Sequence, residues 1–231
     1  MLWSRHRARL ESSLDQLGAG RGTTVPDETA LSELLRANDL EGRARLRVIA
    51  RRSVSQQWEV EASVSPCDSP GPLSDAARLT IERWASAPPL IGHKTLSRFA
   101  WDLARERALA AGADDALLVD ASESVLETSI SNVWVVRGGV VSTPPAPESC
   151  LPGVMRGWLL QHLDMAGLSF DVRRIDESEI AVADELWLSN SIQGVRRVGV
   201  IQDRQWREWP VFDRLVELGI PAPGWPKGSK G

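Results

Sequence analysis

Two stretches of the chain repeat apolar residues every three or four positions, as an amphipathic helix does. Leu10, Leu14 and Leu17 form one such stripe, which predicts a helix over residues 4–17. A second stripe predicts a helix over residues 96–111. The residues of this second helix that are expected to face the core are Leu96, Phe99, Ala100, Leu103 and Ala104. Each helix therefore has one face that must be buried.

The segments between these helices combine a short helix with strand-like alternation. Asp27 precedes residues 28–36 and can cap a helix there with its side-chain oxygen. Residues 44–51 and 57–64 alternate apolar and polar side chains, which is the period of a strand. A further strand is predicted around residues 78–84, where it would complete the first lobe.

Strands dominate the second half of the chain. Residues 116–119 are an uninterrupted apolar run, typical of a strand buried on both faces. Gly138 and Gly139 separate two valine-rich strands and allow the positive φ angles of a tight hairpin turn. A helix is expected to begin after Gly153. Three more strands are predicted near residues 170–175, 185–189 and 195–201.

This alternation predicts a mixed α/β fold with two unequal lobes. The smaller lobe is expected to cover residues 1–89 and the larger lobe residues 90–220, with the break at a proline pair. Residues 221–231 are rich in Pro, Gly and Lys, so a disordered tail is predicted there.

Composition narrows the classes of function. With 42% hydrophobic residues, 25% charged residues and a net charge of -4, the chain favours neither nucleic acid nor an anionic membrane as a partner. The first residues lack the apolar run of a signal peptide and no later segment suits a membrane span, so a cytoplasmic location is expected by default. The two cysteines and three histidines are scattered, so no metal site is predicted.

Lys94 is the first candidate for chemistry. It lies between a proline-rich break and a predicted helix, with Leu90, Ile91 and Leu96 as apolar neighbours in sequence. A lysine desolvated by apolar groups has a lowered pKa and can attack a carbonyl as a free amine. A single lysine before a helix is more often a solvated surface residue, so both interpretations stay open on this residue alone.

Three further segments combine small, polar or glycine residues. In residues 126–132 an acid precedes closely spaced hydroxyls and an amide, which could surround a heteroaromatic ring or form an ordinary β-turn. Residues 151–156 open a helix whose first N–H groups could receive a phosphate, although most such helix starts bind nothing. Residues 189–194 follow a strand end, where loops either hold ligands or merely turn.

In their order and spacing these segments resemble the class IV family of aminotransferases and aminodeoxychorismate lyases. The resemblance extends from Lys94 to about Val200, and His6, Arg9 and Leu10 match the family's His-x-x-Arg-Leu helix. The matched blocks are Lys94-Thr95-Leu96, Thr143-Pro144-Pro145 and residues 112–118, 127–132, 150–156, 183–185 and 188–196. The resemblance implies a two-lobed, fold-type IV architecture and pyridoxal 5'-phosphate (PLP) as cofactor.

The resemblance also implies a role for each matched residue. Lys94 would form the Schiff base with PLP, Glu127 would bind the protonated pyridine nitrogen, and Arg9 would bind the phosphate with its paired donors. Supporting contacts would come from Ser129, Ser131 and Asn132 at the ring edge, from the Val154 and Met155 N–H groups and the Ser191 hydroxyl at the phosphate, and from the Ile192 N–H at the phosphate or a substrate carboxylate.

The matched blocks favour the lyase branch of the family. Residues 188–196 and 150–153 resemble aminodeoxychorismate lyases most, and Thr128 stands where aminotransferases usually carry glycine after the ring-binding acid. The implied reaction converts 4-amino-4-deoxychorismate to 4-aminobenzoate and pyruvate for folate synthesis, with Lys94 moving the protons. A branched-chain or D-amino-acid type aminotransferase and a degenerate, non-catalytic family member remain as alternatives.

The chain departs from the family pattern at its front. Family members begin with a hairpin before the His-x-x-Arg-Leu helix, whereas this chain begins at that helix, and residues 52–89 match poorly. We therefore expect a truncated N-terminal lobe, or a true start that lies upstream. The chain has no tyrosine, so no phenol can contact the cofactor oxygen, which weakens the aminotransferase interpretation. The resemblance further implies a homodimer with the active site near the subunit contact.

Overall fold

The structure is a computed structural model that describes residues 2–19, 23–39, 43–67 and 76–218. Contacts between residues divide the chain into two units, residues 1–71 and residues 72–231. The boundary therefore precedes the predicted one at residue 89. The predicted disordered tail, residues 221–231, lies outside the described residues.

The N-terminal unit packs two helices against a hairpin. Helices α1 (Trp3–Gln16) and α2 (Glu28–Ala37) precede strands β1 (Ala44–Arg52) and β2 (Trp58–Pro66), which pair antiparallel. Its core contains Trp3, Leu14, Val25 and Leu31, with apolar side chains of both strands packed against them. The helices and strands predicted for this part of the chain are confirmed.

The sequence predicted a cap at the start of α2 and an apolar stripe that reaches the end of α1. Asp27 accepts a hydrogen bond from the backbone N–H of Ala30 at 2.8 Å, so the predicted cap of α2 is confirmed. Leu14 is buried, but Leu17, predicted to extend the same stripe, is 40% exposed. That prediction is wrong because Leu17 is the C-cap of α1 and lies outside the helical repeat.

A mixed sheet organises the second unit. Its nine strands within the described residues are β3 (Ala77–Trp84), β4 (Asp115–Asp120), β5 (Val125–Thr128), β6 (Asn132–Arg137), β7 (Val140–Thr143), β8 (Phe170–Val172), β9 (Glu185–Asn190), β10 (Gly194–Ile201) and β11 (Arg204–Gln205). The order across the sheet is β5-β4-β3-β10-β9-β6-β7-β8, and β11 pairs with β10. Strand β3 is parallel to β4 and β10, and β7 is parallel to β8, while the other pairs are antiparallel.

Strand β3 lies inside this sheet, between β4 and β10. The sequence prediction assigned it to the first lobe, and this assignment is wrong. The sequence of a strand does not reveal its partners, because parallel pairing joins segments that are distant along the chain. Ala77 and Leu79 are buried in the main core of the second unit, together with side chains of β4, β6, β9 and β10.

Four helices within the described residues accompany the sheet, namely α3 (Phe99–Ala110), α4 (Val154–Met165), α5 (Glu177–Ala181) and α6 (Pro210–Glu217). The apolar pattern predicted α3, and the turn that ends at Gly153 predicted the start of α4. Helices α5 and α6 were not predicted; α5 is only five residues long, whereas α6 has a clear apolar face with Phe212 and Leu215 buried. Helix α5 begins with a reciprocal pair of hydrogen bonds between Asp176 and Glu179. None of the described helices is long and apolar enough to cross a membrane.

Helix α3 starts later than predicted, and of the five residues expected to face the core only Ala104 is fully buried. Ala104 and Ala108 are buried against strand β4, where small side chains allow the helix to approach closely. Leu96 precedes the helix, and Phe99 at its first position is 80% exposed. Ala100 is exposed as well. The predicted core positions of these three residues are therefore wrong, because the helical repeat begins at Phe99.

Glu185, at the start of β9, fixes the position of α6. Its oxygens accept hydrogen bonds from the backbone N–H of Val211 at 2.6 Å, from that of Phe212 at 3.1 Å and from Trp187 Nε1 at 2.9 Å. The two backbone donors belong to the first turn of α6, where N–H groups lack a partner within the helix. Burial raises the pKa of Glu185, while these three hydrogen bonds lower it.

We expect Glu185→Gln to lower the free energy of unfolding by about 1.5–3 kcal/mol. The amide offers one oxygen to three donors and turns its own N–H₂ group toward one of them. Chemical denaturation of the wild type and the variant measures the loss. Glu208→Gln, at an exposed position just before α6, is the matched control and should unfold as the wild type does. Equal stability of the wild type and Glu185→Gln would contradict the anchoring role.

Candidate active site

A shallow pocket that is open to solvent lies beside the start of α3 in the second unit. Its walls come from the turns before α3, from α3 itself, from β5 and from the segment before α4. Residues that line it include His93, Lys94, Arg98, Trp101, Glu127 and Leu151. Lys94 and Glu127, which the sequence comparison assigned to one site, therefore line the same pocket.

Lys94 lies in a series of turns that joins β3 to α3. Of its apolar sequence neighbours, Ile91 is buried, whereas Leu90 and Leu96 are 42% and 61% exposed. Lys94 is itself exposed. Of the two interpretations left open for Lys94, the solvated one matches the structure, because two of its three apolar neighbours in sequence are exposed as well.

Glu127 lies in β5 and is 7% exposed. Trp101 Nε1 donates a hydrogen bond to Oε1, and the backbone N–H of Leu151 donates to Oε2, each at 3.0 Å. Burial raises the pKa of Glu127, whereas these two hydrogen bonds and the positive charges of Lys94 and Arg98 lower it. The pocket thus combines an accessible amine with a buried acid whose two oxygens are both held.

The backbone of Leu151 connects this acid to the start of α4. Its N–H donates to Glu127, and its carbonyl accepts a hydrogen bond from Asn132 Nδ2 at 2.8 Å. Gly153 is the N-cap of α4, and a Cβ atom at this position would lie 2.0 Å from Asn132 Oδ1. A side chain at position 153 would therefore have to displace Asn132 from its hydrogen bond with Leu151.

Val154 and Met155 are the first two residues of α4. Backbone N–H groups at these positions have no acceptor one turn earlier and lie at the positive end of the helix dipole. The geometry suits the N–H donors that the resemblance implied for a phosphate, and the phosphate contact itself stays a prediction.

Ser129, Ser131 and Asn132, the predicted ring-edge residues, are buried. The Ser129 hydroxyl donates to the carboxylate of Asp115, and Ser131 Oγ accepts from Asn190 Nδ2 at 2.9 Å. Asn132 donates a hydrogen bond to the Leu151 carbonyl, so all three side chains form hydrogen bonds within the protein. They hold the turn after β5 in shape, and a direct contact with a ligand ring stays a prediction.

The loop between β9 and β10 is folded around Asn190. Its Oδ1 accepts hydrogen bonds from the backbone N–H groups of Ile192 at 2.9 Å and Gln193 at 2.7 Å. Its Nδ2 donates to Ser131 and to Gln193 Oε1. The Ile192 N–H that was predicted to bind an anion is therefore already bonded to a side chain of the same loop. Ser191 is exposed, and its phosphate contact stays a prediction.

Arg9, the predicted phosphate-binding arginine, belongs to α1 in the N-terminal unit and is half-buried. Burial lowers the pKa of its guanidinium, which still remains charged in proteins. Lys94 and Glu127 belong to the second unit, so a phosphate site shared with Arg9 stays a prediction.

Trp101, Arg98 and His93 also line the pocket, although the sequence pointed to none of them as a site residue. Arg98 Nη2 donates to the carbonyl of Ser129 at 2.6 Å. Lys94 and Arg98 precede α3 and only Trp101 lies within it, so a helical spacing in the sequence does not link these three residues. Nothing in the sequence paired Trp101 with Glu127.

Cys150 is buried beside the pocket turn, with its Sγ 3.6 Å from the carbonyl oxygen of Pro144. Burial raises the pKa of this thiol to about 12, so it stays protonated and is a poor nucleophile. Within the described residues, no three or more His, Cys, Asp or Glu side chains are arranged to hold a metal ion.

Comparison with known proteins gives a consistent family. Residues 1–201 match the sequence model of the family described as amino-transferase class IV. An aminodeoxychorismate lyase of Vibrio harveyi is 33% identical over 114 residues, which are 49% of this chain and 42% of that protein. A branched-chain-amino-acid aminotransferase of Pseudomonas aeruginosa is 29% identical over 116 residues, which are 49% of this chain and 38% of that protein. The matched region thus spans less than half the length of either relative.

Among solved structures, the 4-amino-4-deoxychorismate lyase of Pseudomonas aeruginosa is similar over 96% of this chain and 86% of its own, with a TM-score of 0.76 and 27% identity. This likeness confirms the predicted mixed α/β, fold-type IV architecture.

We expect Gly153→Ala to be destabilising by about 1–3 kcal/mol, as overpacked substitutions are. The new Cβ would displace the Asn132 side chain and with it the turn that holds Glu127. A double-mutant cycle with Asn132→Ala, followed by thermal denaturation, separates the clash from other effects. Gly153→Ala should cost less in the Asn132→Ala background, since the clashing oxygen is gone. An equal cost in both backgrounds would contradict this packing.

Proposed function

This chain belongs to the class IV aminotransferase family, and we propose that it is a PLP-dependent lyase that splits 4-amino-4-deoxychorismate into 4-aminobenzoate and pyruvate. The observation that carries the proposal is the single pocket that Lys94 and Glu127 line together. A PLP enzyme requires an amine that can join the cofactor aldehyde and an acid that keeps the ring nitrogen protonated.

The residues of the pocket suit PLP. Lys94 is exposed and lines the pocket, and Glu127 is buried with a hydrogen bond to each carboxylate oxygen. Helix α4 begins three residues after Leu151, whose N–H donates to Glu127. When bound, PLP supplies an electron sink for the substrate bond that breaks. The further cofactor contacts that we propose are those of Arg9, Val154, Met155 and Ser191 with the phosphate, and of Ser129, Ser131 and Asn132 at the ring edge. The Ile192 N–H is not among them, because it already donates to Asn190.

Lys94 and Glu127 have different tasks in the proposed reaction. The Nζ of Lys94 accepts the proton from C4 of the substrate and returns a proton to the departing pyruvate. Glu127 remains a carboxylate opposite the protonated ring nitrogen, and its burial strengthens this charge pair because water does not screen it. The product in this proposal, 4-aminobenzoate, enters folate synthesis.

Thr128 supports the lyase over an aminotransferase. Its Oγ1 accepts the N–H of Ser131 at 3.0 Å and donates to the carbonyl of the same residue at 3.2 Å. A side chain thus fixes the turn at the position where the resemblance places glycine in aminotransferases. A branched-chain or D-amino-acid type aminotransferase is the second candidate, since a branched-chain aminotransferase matches about the same share of the chain. A non-catalytic family member is the third, in line with the exposure of Lys94.

We expect the purified protein to develop a near-visible absorbance band when PLP is added, and Lys94→Ala to lack it, since the variant has lost the reacting amine. The chain has two other lysines, Lys227 and Lys230. A variant with both replaced by alanine is the matched control and should keep the band. Borohydride reduction followed by peptide mapping should find the cofactor on Lys94. A band that persists in Lys94→Ala rules out this assignment.

The same preparation separates the three candidate functions. The lyase should release pyruvate from 4-amino-4-deoxychorismate without a keto-acid acceptor, as a coupled lactate dehydrogenase assay measures. An aminotransferase should need an acceptor and convert its cofactor to the amine form. An intact absorbance band with no product in either assay supports the non-catalytic member and contradicts the lyase.

We further propose that the chain forms a homodimer through the rim of the pocket. Leu96, Phe99 and Ile130 are large apolar residues that are exposed there. The hydrogen bond from Arg98 to the Ser129 carbonyl brings the segments that carry them together. Grouped apolar side chains on a protein surface are typical of a contact site, and the family resemblance favours a second copy as the partner.

We expect the wild type to be dimeric by size-exclusion chromatography with light scattering, and Phe99→Glu to shift it toward the monomer. A charge in an apolar contact must be desolvated without a partner, which opposes association. Met165→Glu is the matched control, because Met165 is 76% exposed on another helix, α4. A monomeric wild type, or equal effects of the two variants, would contradict a contact at the pocket rim.

A further inference from the structure

The carboxylate of Glu127 is held by two N–H groups from different parts of the chain. Trp101 Nε1 donates to Oε1 and the Leu151 backbone N–H donates to Oε2, each at 3.0 Å. One bond to each oxygen fixes the plane of the carboxylate, because a rotation of the group would break both. Each oxygen keeps a further lone pair for a ligand.

Trp101 is well placed to act as a fixed donor. Its ring makes an edge contact with Trp84 of β3, with ring centroids 5.0 Å apart and planes at 88°. The indole also packs against the apolar cluster of Ile91, Ala104 and Leu126. The guanidinium of Arg98 lies 6.0 Å from the ring centre on the pocket side. Contacts on several sides therefore limit the movement of the indole N–H.

We propose that Trp101 is a positioning residue, whose indole N–H orients the Glu127 carboxylate toward the ring nitrogen of bound PLP. The role of Trp101 in cofactor binding rests on the proposed function. Its position relative to Glu127 rests on the hydrogen bond between the two side chains. Trp101 is not a catalytic residue in this account, since it acts through Glu127.

The hydrogen bond also affects the proton affinity of Glu127. The charged and titratable groups that face this acid are Lys94, Arg98, His93 and Cys150. An N–H donor stabilises the carboxylate more than the neutral acid, so the Trp101 bond lowers the pKa of Glu127 against the effect of burial. Loss of the donor should therefore raise that pKa and let Glu127 become protonated at a higher pH.

The hydrogen bond can be tested without cofactor. Apo-protein labelled with ¹⁵N at its indoles should give one indole resonance that is absent in Trp101→Phe. We expect this resonance to shift in a single step with pH, and the step to disappear in Glu127→Gln while the other indole resonances stay in place. A Trp101 resonance that is insensitive to both pH and Glu127→Gln overturns the proposal.

The consequence for the cofactor is tested by titration with PLP. We expect Trp101→Phe to weaken PLP binding about tenfold, the effect of losing one hydrogen bond to a charged group. The fall in affinity at acidic pH should begin at a higher pH than in the wild type, which a loss of packing alone would not cause. The proposal would be overturned if Trp101→Phe bound PLP with the affinity of the wild type and lost that affinity at the same acidic pH.

Trp209→Phe is the matched control. Trp209 is also half-buried, its Nε1 donates to the Val198 carbonyl at 3.1 Å, and Arg197 lies 4.9 Å from its ring. This variant should bind PLP as the wild type does. If the wild type binds no PLP, the proposed function is wrong. The indole titration of the apo-protein tests the Trp101–Glu127 hydrogen bond independently of that result.

Discussion

A carboxylate that is taken out of water must find other donors, and this requirement organises the pocket of the second unit. Burial of Glu127 disfavours its charged form. The two N–H groups that compensate come from α3 and from the segment before α4, which are distant in sequence. The acid thereby ties both elements to β5. Lys94 lines the same pocket, so the hydrogen bonds that hold the acid also shape the surface that the amine faces.

A second buried acid shows what sets Glu127 apart. Glu185 accepts three N–H groups and anchors a helix, so its hydrogen-bonding capacity serves the fold. Glu127 accepts two and also faces the positive charges of Lys94 and Arg98 in an open pocket. Burial raises the pKa of both acids, so the direction of the shift does not distinguish them. Their surroundings indicate which acid can bind a ligand.

Local signals in the sequence predicted local structure well. The Asp27 cap and the apolar run of β4 were recognisable because each depends on neighbouring residues. The hairpin glycines Gly138 and Gly139, with φ of 56° and 77°, belong to the same class of signal. The partners of β3 and most of the inward face of α3 could not be predicted, since both depend on which distant segments pack together; Ala104 alone was correctly placed in the core.

The candidate site follows the same rule. Family resemblance identified Lys94 and Glu127, and the structure brings them to one pocket. The sequence left the exposure of Lys94 undecided, because apolar neighbours in sequence need not be neighbours in space. The donors to Glu127 were not predicted, because the sequence around a tryptophan does not indicate which acid its indole N–H will contact.

Asn190 joins the loop after β9 to the turn after β5 through its bond to Ser131, and it also closes its own loop. Both segments are thus preorganised before any ligand arrives. A ligand that meets ordered segments loses less conformational entropy on binding than one that has to order them itself. Such a site discriminates by shape, since neither segment can adapt to a differently shaped molecule without breaking the hydrogen bonds of Asn190.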